Sequence, residues 1–319
     1  MKNPTENAAY GGPGWQPRTA SLAEEIGSLW APCGIDSEYA PLRQVLLHRP
    51  GPELAASHGD FNAAQMLAPL DVGLAQARHD AMAQAYRDAG VEVVYLDAPT
   101  PATPNQMFMA DLFVMSPVGA ILARPASRVR AGEERWTART LAALGMPIAL
   151  SVGGHGVFEG ADLMWVRPDQ VYLARGLRTN EDAYYQIANL LGALDVHVQQ
   201  IELPFGSMHL MGMLRIVDED LALGWPTRLS HRAVDGLREA GYRVAWIPDE
   251  TEARERYAFN IVTLGPRHIL MPAGCPRTQA FYEDLGIRCV TVDIGELGKA
   301  AGLAGCLTGV LRRDRVAAG

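Results

Sequence analysis

The chain has 319 residues, of which 48% are hydrophobic and 20% charged, so it can bury one sizeable core. A net charge of −8, with no basic run longer than the Arg312-Arg313 pair, excludes the positive surface of a nucleic-acid-binding protein. No apolar run approaches the roughly 18 to 20 residues of a membrane helix. We therefore expect a cytoplasmic globular protein that acts on a small molecule, without nucleic-acid or membrane partners.

The four cysteines are widely spaced, which argues against a disulfide framework or a structural zinc site. They are Cys33, Cys275, Cys289 and Cys306, and no two of them form a Cys-x-x-Cys pair. The chain also lacks the glycine fingerprint of dinucleotide sites, the phosphate-binding P-loop, the His-Glu-x-x-His zinc motif and the Gly-x-Ser-x-Gly elbow. We expect no metal and no organic cofactor.

Residues 1–37 form the first predicted segment, which is polar and rich in glycine and proline. We interpret it as a partly irregular N-terminal tail that is either disordered or wrapped around the body, with Trp30 as an anchor. Residues 38–319 are predicted to form a single catalytic domain.

One pattern then recurs five times along residues 38–319. A helix-like segment ends at a turn residue and runs directly into a β-rich stretch, as in AQAYRDAGVEVVYL. Each turn residue suits the left-handed conformation that ends a helix, and the spacing of roughly 45 to 55 residues matches one supersecondary unit. The five turn residues are Gly90, Gly145, Asp195, Gly241 and Gly286.

Two short strand-like runs precede the helix of each unit. Four of these pairs contain a turn signal, at Pro117–Gly119, Pro168-Asp169, Asp218–Asp220 and Gly265-Pro266. Any α/β protein alternates strands and helices, but a hairpin at the same place in each unit favours a true repeat. We predict an α/β fold of five ββαβ units arranged radially, with short strands around a central channel, helices outside and a site on the axis.

Two residues are candidates for nucleophilic chemistry. Cys306 lies in AGLAGCLTGV, where small residues leave the thiol uncrowded, although a buried, inert cysteine is the ordinary alternative. His209 lies between Pro204 and an apolar hairpin, and the alternative role for it is a core histidine bonded to a backbone carbonyl.

Acidic residues in apolar surroundings predict the ligand. Asp111, Glu159 and Asp162 each interrupt an apolar run, and an unpaired buried carboxylate is costly. A planar guanidinium would pair with such carboxylates through side-by-side hydrogen bonds, while structural ion pairs with arginines are the alternative. Arginines such as Arg130 and Arg178 could hold a substrate carboxylate.

These residues resemble the guanidino-modifying enzymes of the pentein fold, a superfamily with arginine deiminases, dimethylarginine dimethylaminohydrolases and arginine amidinotransferases. The resemblance runs from about Tyr39 to Arg313. Its motifs are the aspartate of Phe-x-x-Asp, the Glu-Gly-Gly-Asp motif, the His-Leu pair, the Arg-Thr-Asn triplet and the C-terminal cysteine. They match Asp111, Glu159-Gly160-Ala161-Asp162, His209-Leu210, Arg178-Thr179-Asn180 and Cys306.

Two positions depart from the deiminase pattern. Met211 stands where deiminases and amidinotransferases have a guanidinium-binding aspartate, and Ala110 stands where deiminases have arginine. Dimethylargininases also lack that aspartate, so their compact five-unit type is the closer match. Met211, Arg130 and Asn105 are expected, with Asp162 and Arg178, to contact the substrate.

The resemblance implies a five-bladed α/β propeller and a covalent mechanism. Cys306 would attack the guanidino carbon, His209 would serve as acid and base, and Asp111 and Glu159 would hold the guanidinium, so that a thiouronium intermediate is hydrolysed. An amidinotransferase with an amine acceptor is the alternative, and a non-catalytic pentein that only binds a partner is a third. The guanidino substrate, the presence of a homo-oligomer and the role of the tail are left open.

Overall fold

A computed structural model describes residues 4–98 and 102–316. The first three residues of the predicted tail and the last three of the predicted domain lie outside the described residues, as do residues 99–101.

The described residues form fifteen strands and eight α-helices. The strands are β1 (Leu42–Leu47), β2 (Glu92–Tyr95), β3 (Phe113–Ser116), β4 (Gly119–Leu122), β5 (Ile148–Ser151), β6 (Leu163–Arg167), β7 (Gln170–Arg175), β8 (His197–Glu202), β9 (Leu214–Ile216), β10 (Leu221–Gly224), β11 (Arg243–Trp246), β12 (Val262–Gly265), β13 (His268–Pro272), β14 (Arg288–Val292) and β15 (Gly309–Arg313). The helices are α1 (Leu22–Glu25), α2 (Val72–Asp88), α3 (Glu134–Ala143), α4 (Glu181–Gly192), α5 (His231–Glu239), α6 (Glu250–Glu255), α7 (Pro276–Asp284) and α8 (Ala304–Leu307). Short 3₁₀ turns include Pro52–His58, Met109–Asp111, Arg128–Arg130, Gly160–Asp162, Leu210–Gly212 and Gly295–Ala300.

The strands form five three-stranded sheets with one common plan. The orders are β3-β4-β5, β6-β7-β8, β9-β10-β11, β12-β13-β14 and β15-β1-β2. In each sheet the first strand runs antiparallel to the middle strand, and the third runs parallel to it. A helix connects each parallel pair, as such a crossover requires. The predicted ββαβ units are therefore confirmed.

The fifth sheet joins segments that are far apart in the sequence. Strand β15 pairs with β1, so that Leu46 lies opposite Gly309 and Leu42 lies opposite Arg313. The other side of β1 pairs with β2. The last described strand, β15, is thus the first strand of the fifth unit, and β1, α2 and β2 form the rest of that unit.

The helix ends have the backbone geometry that the sequence predicts. All five predicted turn residues have positive φ angles, between 59° at Asp195 and 94° at Gly241. Glycine adopts this region without a Cβ penalty, and aspartate is among the few other residues that tolerate it. Each helix can therefore reverse directly into the third strand of its sheet.

The first strands of all five sheets line one inner cavity of about 60 Å³. Its wall is mostly apolar but includes Glu38, Arg215 and Arg313. The helices cover the outer faces of the sheets, and apolar side chains such as Trp165 and Leu311 are fully buried between these layers. The sheets therefore converge on one centre, and their connecting turns gather at its ends.

The segment predicted as a tail, residues 1–37, packs against the rest of the protein over its last residues. Residues 33–37 are buried, and Gly34 N–H donates to Leu311 O of β15 at 2.9 Å. Trp30 is half-buried, and Ala31 N–H next to it donates to Gly145 O at 3.0 Å. Residues 5–20 are mostly exposed. None of the described helices combines the length and apolarity that a membrane span requires.

Candidate active site

The candidate catalytic residues and Asp162 lie in the turns that lead into the first strands of four of the five sheets. Asp111 ends a 3₁₀ turn before β3, and Glu159 and Asp162 flank the turn before β6. His209 precedes the turn before β9, and Cys306 lies in the one-turn helix α8 before β15. The repeat therefore brings residues nearly 200 positions apart to one end of the molecule.

His209 is held between two carboxylates and is 5% exposed. Its Nε2 lies 2.7 Å from Glu159 Oε2, and its Nδ1 lies 3.8 Å from Asp111 Oδ1. Burial alone would lower the pKa of the imidazole, but Asp111, Glu159 and Asp162 outweigh it and raise the pKa to about 9. The ring nitrogens therefore face carboxylates and not the backbone carbonyl of the alternative role, and these carboxylates favour the protonated imidazole.

Glu159 and Asp162 have no exposed surface, and protein donors occupy their oxygens. Besides His209, Glu159 accepts hydrogen bonds from Arg178 Nη1 at 3.1 Å and from Ala126 N–H at 3.2 Å. Burial opposes ionisation of Glu159, yet the charges of His209, Arg130 and Arg178 lower its pKa. The sequence predicts that Glu159 holds the substrate; in the structure its oxygens bond His209, Arg178 and the Ala126 backbone.

Asp162, which the sequence predicts to contact the substrate, is also bonded to protein donors in the structure. Its Oδ2 accepts from Thr179 Oγ1 at 2.6 Å, and its Oδ1 accepts from the Leu210 backbone N–H at 3.1 Å. Burial raises the pKa of this carboxyl to about 6. Because Asp162 binds the backbone next to His209 and does not line the cavity described below, it supports the imidazole from within the fold.

Asp111 combines a paired and an unpaired oxygen. Its Oδ2 accepts from Arg130 Nη1 at 2.6 Å, and Arg130 also bonds Glu133 Oε2 at 2.9 Å. The ring of Phe108 lies 5.9 Å from the Arg130 guanidinium carbon. Oδ1 of Asp111 has no hydrogen-bond partner within the described part of the chain. A buried carboxylate oxygen without a donor is costly, so it is a ready acceptor for a ligand.

Cys306 is fixed by a residue that sequence reasoning missed. Asn260 Nδ2 donates to Cys306 Sγ at 3.0 Å, and Asn260 Oδ1 accepts from the backbone N–H groups of Gly305 and Cys306 at 2.7 and 3.3 Å. The thiol lies in a short helix, not in the loop that the sequence suggested. Burial and the charge of Asp111 raise its pKa, against smaller opposing effects of Asn260 and Arg215.

A narrow cavity of about 30 Å³, here called the catalytic cavity, joins these groups. Cys306, His209, Asp111, Arg130, Arg178, Asn105, Phe108, Gln65, Met208, Ala300 and Ala301 line it. Four of these residues also line an adjoining outer pocket of about 280 Å³, whose walls include Trp225, Tyr257 and Phe259.

The remaining predicted substrate contacts occupy different places. Asn105 lines the catalytic cavity, but its Nδ2 donates to Ala64 O at 2.8 Å, so its amide also fixes the chain beside Gln65. Met211 lies between the inner cavity and the outer pocket and is not in the wall of the catalytic cavity. Arg178 is 9% exposed, and its Nε has no partner among the described residues.

Asp111, Glu159 and His209 are the one group in the described chain that could hold a metal ion, since their ligand atoms lie within 4.8 Å of one another. Their environment argues against this use. His209 and Glu159 already bond each other, and the guanidinium groups of Arg130 and Arg178 contact the same carboxylates. Binding a metal would require His209 to lose its proton beside two arginine cations.

The repeat itself could have revealed Asn260. It stands two residues before β12, at the place where the other four units carry their candidate residues. Sequence reasoning also missed Glu133, which bonds Arg130. It stands directly before the amphipathic helix α3, and nothing in the neighbouring sequence marks it as part of the site.

Comparisons with known proteins agree with this geometry. The model of the family described as "N,N dimethylarginine dimethylhydrolase, eukaryotic" matches residues 71–302. The N(G),N(G)-dimethylarginine dimethylaminohydrolase of Streptomyces coelicolor is 28% identical over 273 residues, which cover 85% of this chain and 98% of the relative.

Solved structures show the same fold. A mutant dimethylarginine dimethylaminohydrolase from Pseudomonas aeruginosa, complexed with citrulline, superimposes with a TM-score of 0.71 at 23% identity, covering 84% of this chain and 99% of the other. The amidinotransferase SxtG from Microseira wollei gives a TM-score of 0.74 at 14% identity, covering 89% and 98%.

These matches assign the chain to the guanidino-modifying enzymes of the pentein fold, which confirms the prediction from the sequence motifs. It is a hydrolase that acts on C–N bonds of linear amidines. Within that class the chain belongs to the dimethylarginine dimethylaminohydrolase family, whose model covers well over half of its residues.

Proposed function

We propose that this enzyme hydrolyses a C–N bond of arginine or an N-substituted arginine through a covalent thiouronium intermediate on Cys306. The observation that carries the proposal is the catalytic cavity, which is lined by Cys306, His209 and Asp111, whose Oδ1 accepts no hydrogen bond from the described residues. A guanidinium bound to Asp111 Oδ1 would present its carbon to the thiol, and its charge would favour the thiolate.

The protonation states support an order of steps. With a raised thiol pKa and an imidazole pKa of about 9, the unliganded site holds a neutral thiol and a cationic ring near neutral pH. When the substrate cation binds, the thiol loses its proton to solvent, and the thiolate adds to the guanidino carbon. His209 then protonates the departing amine as the C–N bond breaks.

The second half of the reaction uses the same groups in reverse. Neutral His209 takes a proton from a water molecule that adds to the thiouronium carbon. The C–S bond then breaks to release the thiolate and a urea product, whose remaining hydroxyl proton passes to solvent. Glu159 keeps the imidazole oriented throughout, because its hydrogen bond at 2.7 Å fixes Nε2. Citrulline, bound in the Pseudomonas relative, is the urea product expected from an arginine-type substrate.

Arg178 is proposed to bind the α-carboxylate of the substrate. Only its Nη1 is used by Glu159, and the guanidinium borders the catalytic cavity. A bidentate contact through its free donors would select amino-acid-like guanidines.

The test is a panel of guanidino compounds assayed with wild-type enzyme and Cys306→Ser, with and without an acceptor amine. We expect release of ammonia or an alkylamine together with a urea product, and at least about a thousandfold loss of turnover in the variant. Mass spectrometry of quenched wild-type enzyme should show an adduct on Cys306. A variant with more than roughly a tenth of wild-type turnover would exclude Cys306 as nucleophile. An absolute requirement for the amine would identify an amidinotransferase.

A further inference from the structure

Arg215 is a buried cation immediately behind the nucleophile. It lies in β9, is 8% exposed and lines the inner cavity together with Gly305, the residue before Cys306. The contact with Gly305 is close, because a Cβ added there would overlap Arg215 Nη2. The mechanism proposed above does not use this side chain.

Arg215 lacks the partners that a buried guanidinium normally has. Its Nε and Nη2 make no hydrogen bond, and no carboxylate pairs with it within 4.0 Å among the described residues. Burial lowers the pKa of Arg215 to about 10. The negative charge that opposes this effect most is that of Cys306, and the next is that of Glu38. A buried cation without a counterion is expensive, so this position needs an anion nearby.

The sulfur of Cys306 is that anion when the thiol is deprotonated. We propose that Arg215 is the buried counter-cation of the Cys306 thiolate, acting across Gly305 from the inner cavity. This inference rests on the proposed role of Cys306 as nucleophile and adds a positioning residue to it. Substrate and His209 then stabilise the thiolate from the catalytic cavity, while Arg215 stabilises it from the other side.

The other groups around the sulfur are accounted for. Asp111 opposes deprotonation of the thiol, Asn260 favours it through its hydrogen bond, and the thiolate raises the pKa of Tyr257. His209, Arg130 and Arg178 border the same catalytic cavity, but each bonds a carboxylate. Arg215 is therefore the one described cation near Cys306 whose charge no carboxylate neutralises within 4.0 Å.

Thiolate titration of the unliganded enzyme tests this inference without relying on turnover. Burial raises the pKa values of the other three cysteines to about 11, and subtracting the 240 nm absorbance of Cys306→Ser removes their contribution and isolates the Cys306 thiolate. We expect Arg215→Met to raise the thiol pKa by about one unit and to slow iodoacetamide alkylation at pH 7 about tenfold. Arg215→Lys should remain within about threefold of wild type, since it keeps the charge.

Two neighbours supply controls. Arg313 borders the same cavity and is equally buried, but its charge partners are Glu38 and Tyr86, so Arg313→Met should change alkylation less than about twofold. Glu38→Gln removes a competing carboxylate and keeps an acceptor for Trp165 N–H, so it should lower the thiol pKa. If Arg215→Met does not fold, Glu38→Gln still carries the test.

The inference is overturned if folded Arg215→Met titrates like wild type, if Arg313→Met shifts the thiol as far, or if Glu38→Gln leaves it unmoved. Failure of the proposed function has a different signature. In that case Cys306→Ser would keep its hydrolase activity, whatever the titration of the thiol shows.

Discussion

His209 owes its charge to the carboxylates that surround it, and this has a consequence for stability. Its pKa of about 9 in the folded protein lies above the ordinary value of 6.5, so the folded state binds the proton more tightly. The stabilisation is complete below about pH 6.5 and is lost as the pH rises through about 9.

We therefore predict that His209→Gln costs more stability at pH 6 than at pH 9.5, by on the order of 2 to 3 kcal/mol. Urea unfolding of both proteins across this range measures the difference. His79→Gln is the matched control, because burial lowers the pKa of His79 to about 4 and the ring stays neutral throughout. A cost for His209→Gln that does not change with pH would contradict the charged state of the ring.

Met211 predicts substrate preference. A thioether accepts hydrogen bonds from a free guanidino NH₂ only weakly, and Met211 borders the apolar outer pocket that adjoins Cys306. We expect the wild-type enzyme to accept an N-methylated arginine at least as well as arginine, and Met211→Asp to shift kcat/KM toward arginine by about five- to hundredfold. Leu29→Asp adds the same charge at an exposed position outside both cavities and serves as control. A wild type that favours arginine a hundredfold would contradict this prediction.

Among the elements, the turns before the first strands place the chemistry. Gly160, in the turn that carries Glu159 and Asp162, packs on the turn that carries Asp111, and a Cβ there would overlap the carbonyl oxygens of Ala110 and Phe113. Glycine at this position lets the turn that carries Glu159 and the turn that carries Asp111 approach each other closely.

We predict that Gly160→Ala costs about 2 kcal/mol or more in unfolding free energy and at least tenfold in kcat/KM, because the His209 support moves away from Asp111. Thermal unfolding and steady-state kinetics measure both. Gly192→Ala, near the end of α4 and with nothing near the new Cβ, should be neutral or stabilising by up to about 1 kcal/mol. Equal effects of the two substitutions would show that the close approach at Gly160 is unimportant.

Local signals allowed most of the elements to be predicted from the sequence. The helix-ending residues and hairpin turns carry backbone preferences of their own, so the five units could be recognised without tertiary information. The motif residues were recognisable by resemblance, and their turns bring Cys306, His209 and Asp111 to one cavity. Their roles depended on partners distant in sequence. Only the structure shows that Glu159 and Asp162 use their oxygens on His209, Thr179 and Leu210, or that Asn260 reaches Cys306.

At the scale of the whole molecule, we expect the fifth sheet to make unfolding a single cooperative transition. Leu311 of β15 is fully buried in a core that also contains Leu46 of β1 and Phe113 of β3. Loss of this contact should therefore weaken the ring of sheets as a unit and not one sheet alone.

We predict that Leu311→Ala lowers the unfolding free energy by about 2 to 5 kcal/mol, with one transition seen alike by circular dichroism and tryptophan fluorescence. Val310→Ala, at a half-buried neighbour in the same strand, should cost less. Two separate transitions in Leu311→Ala would show that the sheets unfold independently.

The pairing of β1 with β15 also concerns the order of synthesis. When β1 and β2 have left the ribosome, one edge of β1 has no partner, and about 210 further residues must follow before β15 emerges. A nascent chain must keep this edge from pairing with other strands for that time, which is an aggregation hazard. Cys306, the proposed nucleophile, is translated directly before β15, so the thiol is added only when the last strand of the fifth sheet is made.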